Sequence, residues 1–358
     1  MKLFVEIKVK WNIKRLVLLD EDYQIIEEIS LNKKMNEVEI DLTISKYAYF
    51  KGCKSKSDIF ILTDSLKKII LSYNKKVNLY DVTYDTLDSN YGRVESFYIK
   101  DNKYLEHHTE NKKKIDIWYP PYFDSNEEYH LLIMFDSQNI FDIRKVGAYT
   151  DKNDPYYSWQ VETSIINNKA KIIVLGLETT GDNRTVDLSP NVSLEDINEL
   201  MLPMIDKNFH GNKLEDIGFL IINRLIPMMK EKYKIKDVSI AGSSMGGLGA
   251  HYLGFKYSDV FSKILTLSPA SGMIVDRYWS SFYNKYLNKE KMPEIFMWQG
   301  AYPGLEQLLY KMNVNFVNNL IECNYDLNKL TQYIELSGNH NEVMWRFAFN
   351  YAINKLFR

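Results

Sequence analysis

The chain has 358 residues and a formal net charge of −2, from 45 Lys and Arg against 47 Asp and Glu. That balance leaves no basic field for nucleic acid and no acidic tail; 45% hydrophobic with 26% charged residues is globular composition, long enough for about two domains. The two cysteines, Cys53 and Cys323, are far apart and lack a CxxC or Cys/His spacing, which argues against a disulfide framework and a structural zinc site.

From the N-terminus, MKLFVEIKVKW alternates apolar and polar residues, which is strand periodicity and not the apolar block of a secretory signal. Short strands are predicted at 3–11, 15–19, 24–29, 38–42, 48–51, 58–63 and 68–73. Turn-forming stretches such as Asp20-Glu21-Asp22 and Asn32-Lys33-Lys34 separate several of them. Strands without intervening helices predict a small β-sandwich domain over residues 1–82, with a boundary where NKKVNLYDVTYDTLDS (74–89) loses its hydrophobic period.

From 90 to 358 the pattern changes. Strand-like segments at 93–99, 114–119, 130–135, 170–176, 237–241, 263–268, 294–299 and 331–336 alternate with helix-like ones at 216–233, 245–256, 304–322 and 341–356. Apolar runs such as KIIVLGL suit a parallel sheet covered on both faces. The expected fold class is therefore α/β: a doubly wound, mostly parallel sheet preceded by the small β-sandwich domain. The longest apolar runs, 217–222 and 131–135, fall far short of the roughly 20 residues that cross a bilayer. A cytoplasmic protein with no membrane or nucleic-acid partner is expected.

The decisive segment is Gly242-Ser243-Ser244-Met245-Gly246, a G-x-S-x-G placed after an apolar strand and before a helix. A serine in such a turn projects above the sheet, and flanking glycines let backbone approach backbone. Ser244 is the predicted nucleophile, and the Met245 N–H at the helix start is a predicted oxyanion donor. A serine hydroxyl needs a base. Of six histidines, His107 and His108 lie in the polar run LEHHTENKKK and are expected to be solvated. His130 starts a strand, His210 sits in a polar loop and His251 lies on the helix after Ser244, pointing away from its start; packing or surface roles are expected. His340 ends the loop Ser337-Gly338-Asn339-His340 after the last strand, in the chain order a Ser–His pair takes in an α/β-hydrolase, and is the predicted base. The acid should follow strand 294–299, where Gly300-Ala301-Tyr302-Pro303-Gly304-Leu305-Glu306 holds one carboxylate. Two readings stand: Glu306 completes a triad, or it only opens the next helix and the site is a Ser244–His340 dyad.

These residues, together with Ile117-Trp118-Tyr119-Pro120-Pro121-Tyr122, the DSQNIFD run at 136–142, Trp159, Arg184 in NRTVDLSP and GNHNEVMW around His340, resemble the Putative esterase family of α/β-hydrolases. The family includes enterochelin esterases, esterase D-like enzymes and feruloyl or acetyl-xylan esterases, and some enterochelin esterases carry an N-terminal β-sandwich. The resemblance runs from about residue 94 to 357 and implies a second oxyanion N–H from Ser137 or Gln138. The sequence departs from the family pattern at Ser137, where relatives have glycine, at Phe135, where they have histidine, and at Pro303, where many place the acid. Arg184 resembles a family arginine at the site mouth, suited to a substrate contact or a structural salt bridge.

The implied activity is hydrolysis of a small ester, such as a siderophore lactone or an aromatic or acetyl sugar ester, with no metal or other cofactor. An acyltransferase using the same acyl-enzyme, or a non-catalytic binding module on this scaffold, are the alternatives. Aromatic residues reach 14%, with 26 Tyr. Much of that suits an AT-rich coding sequence, but Tyr149, Tyr156, Tyr157, Trp159, Tyr278, Trp279, Tyr302 and Trp345 gather near the predicted loops, and Trp159, Tyr302 and Trp345 are the expected substrate-lining residues.

Overall fold

A computed structural model of the chain describes residues 2–8, 13–20, 24–31, 35–41, 43–45, 47–52, 60–61, 69–72, 91–142, 158–179, 183–200 and 213–357. The seven short strands expected before residue 80 are present: β1 (Lys2–Lys8), β2 (Ile13–Leu19), β3 (Ile25–Ser30), β4 (Met35–Asp41), β5 (Tyr47–Gly52), β6 (Phe60–Ile61) and β7 (Ile69–Ser72). They form two small sheets, ordered β4-β1-β7 and β3-β2-β5-β6, antiparallel except for the β1–β7 pair.

The remaining strands form one eight-stranded sheet. In chain order they are β8 (Arg93–Lys100), β9 (Lys112–Tyr119), β10 (Glu128–Phe135), β11 (Ile172–Leu177), β12 (Lys234–Ser243), β13 (Phe261–Leu267), β14 (Glu294–Gly300) and β15 (Leu330–Glu335). Their spatial order is β15-β14-β13-β12-β10-β11-β9-β8. The six strands from β15 to β11 run parallel, while β9 pairs antiparallel with β11 and β8 antiparallel with β9. Alternate residues of β10 enter opposite cores: Leu131, Ile133 and Phe135 in one, Leu132 and Met134 in the other. A strand buried on both faces cannot alternate apolar with polar, which is why these strands read as bare apolar runs.

Helices cover both faces. They are α1 (Val161–Asn167), α2 (Asn183–Leu188), α3 (Leu214–Leu220), α4 (Ile226–Lys232), α5 (Ser244–Lys256), α6 (Asp276–Tyr286), α7 (Leu305–Met312), α8 (Phe316–Glu322) and α9 (Glu342–Leu356). Two expected helices are divided. The 216–233 segment carries a π-turn at Ile221–Leu225 between α3 and α4. Pro227 near the start of α4 has no N–H to give and its ring crowds the preceding turn, and the wider turn accommodates both. The 304–322 segment breaks between α7 and α8, where the Asn313 side chain donates to Pro269 O and Gln299 Oε1, each at 2.8 Å. Those tertiary bonds compete with helix continuation.

Helices α1, α2 and α6 are additional to those that the sequence predicts. The last has little helix propensity (DRYWSSFYNKY), but Trp279, Phe282 and Tyr283 fall on one face and are buried together. Among the described residues no helix is long and apolar enough to cross a membrane.

Candidate active site

Strand β12 delivers Ser244 to the carboxyl edge of the parallel sheet, the position where open α/β sheets place ligands. Ser244 has φ +53°, a left-handed conformation that a non-glycine residue enters only when its surroundings impose it. The turn is tight enough that a Cβ on Gly242 would lie 2.1 Å from Gly246 O, so glycine is required there. Helix α5 starts at Ser244, and its N-cap residue Ser243 makes no side-chain cap. The first N–H groups of α5, Met245 among them, thus have no partner in their own helix.

The loop after β10 faces this helix start, since a Cβ on Gly246 would lie 2.8 Å from Asp136 Oδ2. Asp136 is itself left-handed (φ +59°) and caps a 3-10 turn at Ser137–Asn139. The turn is pinned by its side chains. Ser137 Oγ donates to buried Asp116 at 2.7 Å, and the Thr179 N–H donates to Gln138 Oε1 at 3.2 Å. Asp136 accepts from Thr179 Oγ1, from Gln138 Nε2 and from both faces of the Arg184 fork, Nε at 2.8 Å and Nη2 at 3.0 Å. Burial works against the Arg184 charge, but Asp136 outweighs it and holds the guanidinium above its ordinary value.

Glu306 lies in the first turn of α7 and is 2% exposed. Its Oε1 accepts the Ser268 hydroxyl and the Gly300 N–H (3.1 Å), and its Oε2 lies 2.8 Å from His340 Nδ1. Three donors converge on one carboxylate, so the His340 proton shared with it is placed on Nδ1, and Nε2 faces away from Glu306. A Cβ on Gly300 would lie 2.4 Å from Gly338 O and 2.6 Å from Glu306 Cγ, so glycine at 300 is what admits the glutamate. The Tyr302 N–H donates to Gly338 O at 3.1 Å, tying the acid loop to the histidine loop. Among the described residues no hydrogen bond joins Ser244 Oγ to His340.

A family model described as "Putative esterase" matches residues 107–355. The chain belongs to this esterase family. No curated protein sequence matches it. Solved structures similar in fold to this esterase include the following three. The IroE-like serine hydrolase from Shewanella oneidensis is 17% identical with a TM-score of 0.53, covering 74% of this chain and 80% of that one. The enterobactin esterase FES from Shigella flexneri is 12% identical with a TM-score of 0.52, over 97% of this chain and 88% of that one. The siderophore hydrolase EstB from Aspergillus nidulans is 12% identical with a TM-score of 0.50, over 74% of this chain and 94% of that one.

Not every expected lining residue of the esterase faces solvent. Trp159 is 2% exposed and packs against Trp345 and Phe349. Trp345 is 6% exposed, and its indole N–H donates to Ser268 Oγ at 3.0 Å. Both belong to the hydrophobic core behind the site and not to a cleft wall, and there the Trp345 indole N–H finds its acceptor. Trp279 is likewise buried, stacked on His251. Tyr302, 48% exposed, stands at the surface of the acid loop. Tyr149, Tyr156, Tyr157 and His210 lie outside the described residues.

His107 and His108 are not solvated as their polar neighbourhood suggests. Each places Nε2 on Oδ1 of fully buried Asp187, at 2.8 and 2.9 Å, and Lys113 Nζ binds the other oxygen. Burial pushes the Asp187 carboxyl up, but Lys113 and the two imidazoles outweigh it and hold it well below the usual range. His107, His108 and Asp187 have the donor types and proximity for a metal ion. Lys113 already neutralises the aspartate, so a dication would meet no net negative charge. The cluster reads as an anchor for α2, which carries Asp187 on one turn and Arg184 on the previous one.

Proposed function

We propose that this esterase hydrolyses a small carboxylic ester by two-step acyl transfer, with Ser244 as nucleophile, His340 as base and Glu306 as acid. The observation that carries the reading is the 2.8 Å bond from His340 Nδ1 to a buried Glu306, beside a serine held at positive φ on a helix start. That bond orients the imidazole with Nε2 free to take the serine proton, and a substrate aligning the two completes a contact that unliganded sites leave loose. Ser244 Oγ then bonds the ester carbonyl carbon as the proton passes to His340. The tetrahedral oxyanion is held by the N–H of Met245 and by an N–H of the Ser137–Gln138 turn. Collapse breaks the bond to the alcohol, which leaves with the proton from His340. Water, activated by the same base, releases the acid and regenerates Ser244.

The acid reading favours the triad over the dyad because Glu306 serves two structural positions at once, opening α7 and contacting the base. Arg184 serves in this scheme as the clamp on the oxyanion turn through Asp136. The substrate class we favour is an oligoester of the siderophore lactone type. Its support is the enterobactin esterase FES, whose fold is followed over 97% of this chain, and the siderophore hydrolase EstB.

Ser244→Ala and His340→Ala should each abolish hydrolysis of a p-nitrophenyl ester while leaving the thermal transition intact. Glu306→Gln should lower kcat by well over tenfold. Near-normal turnover in Ser244→Ala would overturn the mechanism, and a loss below about tenfold in Glu306→Gln would replace the triad by a dyad.

A further inference from the structure

The Glu306 carboxylate is held by more than its own loop. Ser268 directly follows β13 and has φ +44°, so a non-glycine residue is kept in the left-handed region at the edge of the site. Its hydroxyl donates to Glu306 Oε1 and accepts the Trp345 indole N–H at 3.0 Å. An indole N–H can only donate, so the Ser268 oxygen must accept from it, and the hydroxyl proton is thereby directed at the carboxylate. The Trp345 ring meets His340 edge-on as well, with centroids 4.9 Å apart at 84°. Ser268, Glu306 and Trp345 are all buried, so water does not compete for these bonds.

Glutamate has one more rotatable bond than aspartate, and Glu306 reaches His340 from a helix and not from the strand-end loop. With Gly300 N–H and Ser268 Oγ both on Oε1, rotation of the carboxylate is blocked and Oε2 stays on His340. We propose that Ser268 and Trp345 are positioning residues of the active site: Trp345 orients the Ser268 hydroxyl, and Ser268 holds the Glu306 carboxylate against His340. The proposal rests on the Ser244–His340–Glu306 reading.

The test uses the full chain with Ser268→Ala, Trp345→Phe and the double variant, measuring kcat and KM on a p-nitrophenyl ester across pH, with thermal unfolding in parallel. Ser268→Ala should lower kcat about tenfold with KM little changed. It should also move the acidic limb of kcat/KM upward by about half a pH unit, since a carboxylate that loses a donor favours the protonated His340–Glu306 pair. Trp345→Phe keeps an aromatic ring beside His340 but removes the N–H, and should move the limb the same way by less. The double variant should match Ser268→Ala within about twofold, because the indole acts only through the hydroxyl. An unmoved limb in Ser268→Ala, or losses that multiply in the double variant, would overturn the positioning role. Activity lost only in step with the thermal transition would overturn it too. Ser244→Ala and Glu306→Gln run alongside: full activity in either overturns the triad reading itself, whereas inactivity in both with an unmoved limb in Ser268→Ala overturns the positioning role alone.

Discussion

His251 lies on α5, the helix that starts at the proposed nucleophile Ser244, yet is 3% exposed and packed away from it. Its Nδ1 and Nε2 lie 2.6 Å from Ser271 Oγ and Tyr283 Oη, and its ring stacks on Trp279 at 4.3 Å. Burial pushes its pKa down to about 3. The unfolded chain returns it to about 6.5. Between those values the unfolded state binds the extra proton, so stability rises with pH: the contribution is complete above about 6.5 and is lost as pH falls toward 3. Asp187 acts in the same direction but lower, because a carboxyl held below its ordinary value loses its stabilisation only from about pH 4 downward. Urea unfolding between pH 7.5 and 4.5 should therefore show a decline to which His251 contributes. His251→Phe should flatten it, while being less stable at pH 7.5 by about 1–2 kcal/mol because Ser271 and Tyr283 lose a partner. An unchanged slope in that variant would remove His251 as the cause.

The end of β14 and the start of α7 are where element geometry sets the place of the proposed acid, Glu306. Gly300 lets Glu306 Cγ and Gly338 O approach; the Tyr302 N–H donates to Gly338 O in the histidine loop, and the Ala301 N–H to Glu335 O at the end of β15. Gly300→Ala must part these loops. A shift of about 1 Å can cost about a hundredfold in rate, so kcat should fall at least tenfold, with a lowered melting temperature as the packing reads out the same clash. Near wild-type kcat in that variant would mean that Glu306 need not sit where it does. The elements that carry Ser244 and His340 were legible because their signals are local: apolar strand, glycine, serine and helix start within one run, and a polar loop between the last strand and the last helix. The environment of Glu306 was not, because Ser268 is 38 residues away and no spacing rule links them. His107 and His108 looked solvated for the same reason, their partner Asp187 being 80 and 79 residues distant. Trp159 and Trp345 stand near the site in sequence whether they face a cleft or a core, and the choice depends on the rings that Trp159 meets and on the Ser268 hydroxyl that accepts the Trp345 indole N–H, which only the folded neighbourhood supplies.

At the scale of the molecule, the two hydrophobic clusters that flank the large sheet draw on no described side chain from before Val94. In the first small sheets, β2 is covered on both faces, with Leu16, Val17, Leu18 and Leu19 all at most 3% exposed. The large sheet ends at β8, whose sequence RVESFYIK carries Arg93, Glu95 and Lys100, charges of the kind that protect a free edge from further pairing. Trp118 Nε1 donates to Tyr91 O, so the sheet's anchoring begins just ahead of β8. A chain starting at residue 90 keeps these contacts and both clusters. It should unfold cooperatively and hydrolyse a small p-nitrophenyl ester within about threefold of the full chain. The same chain should lose more on a bulky cyclic triester if the N-terminal strands shape the cleft. Comparing kcat/KM of both forms on both esters separates the outcomes: equal ratios would make the N-terminal sheets dispensable for substrate choice. Failure of the shorter chain to fold would mean instead that the two small sheets and the large one share a single core.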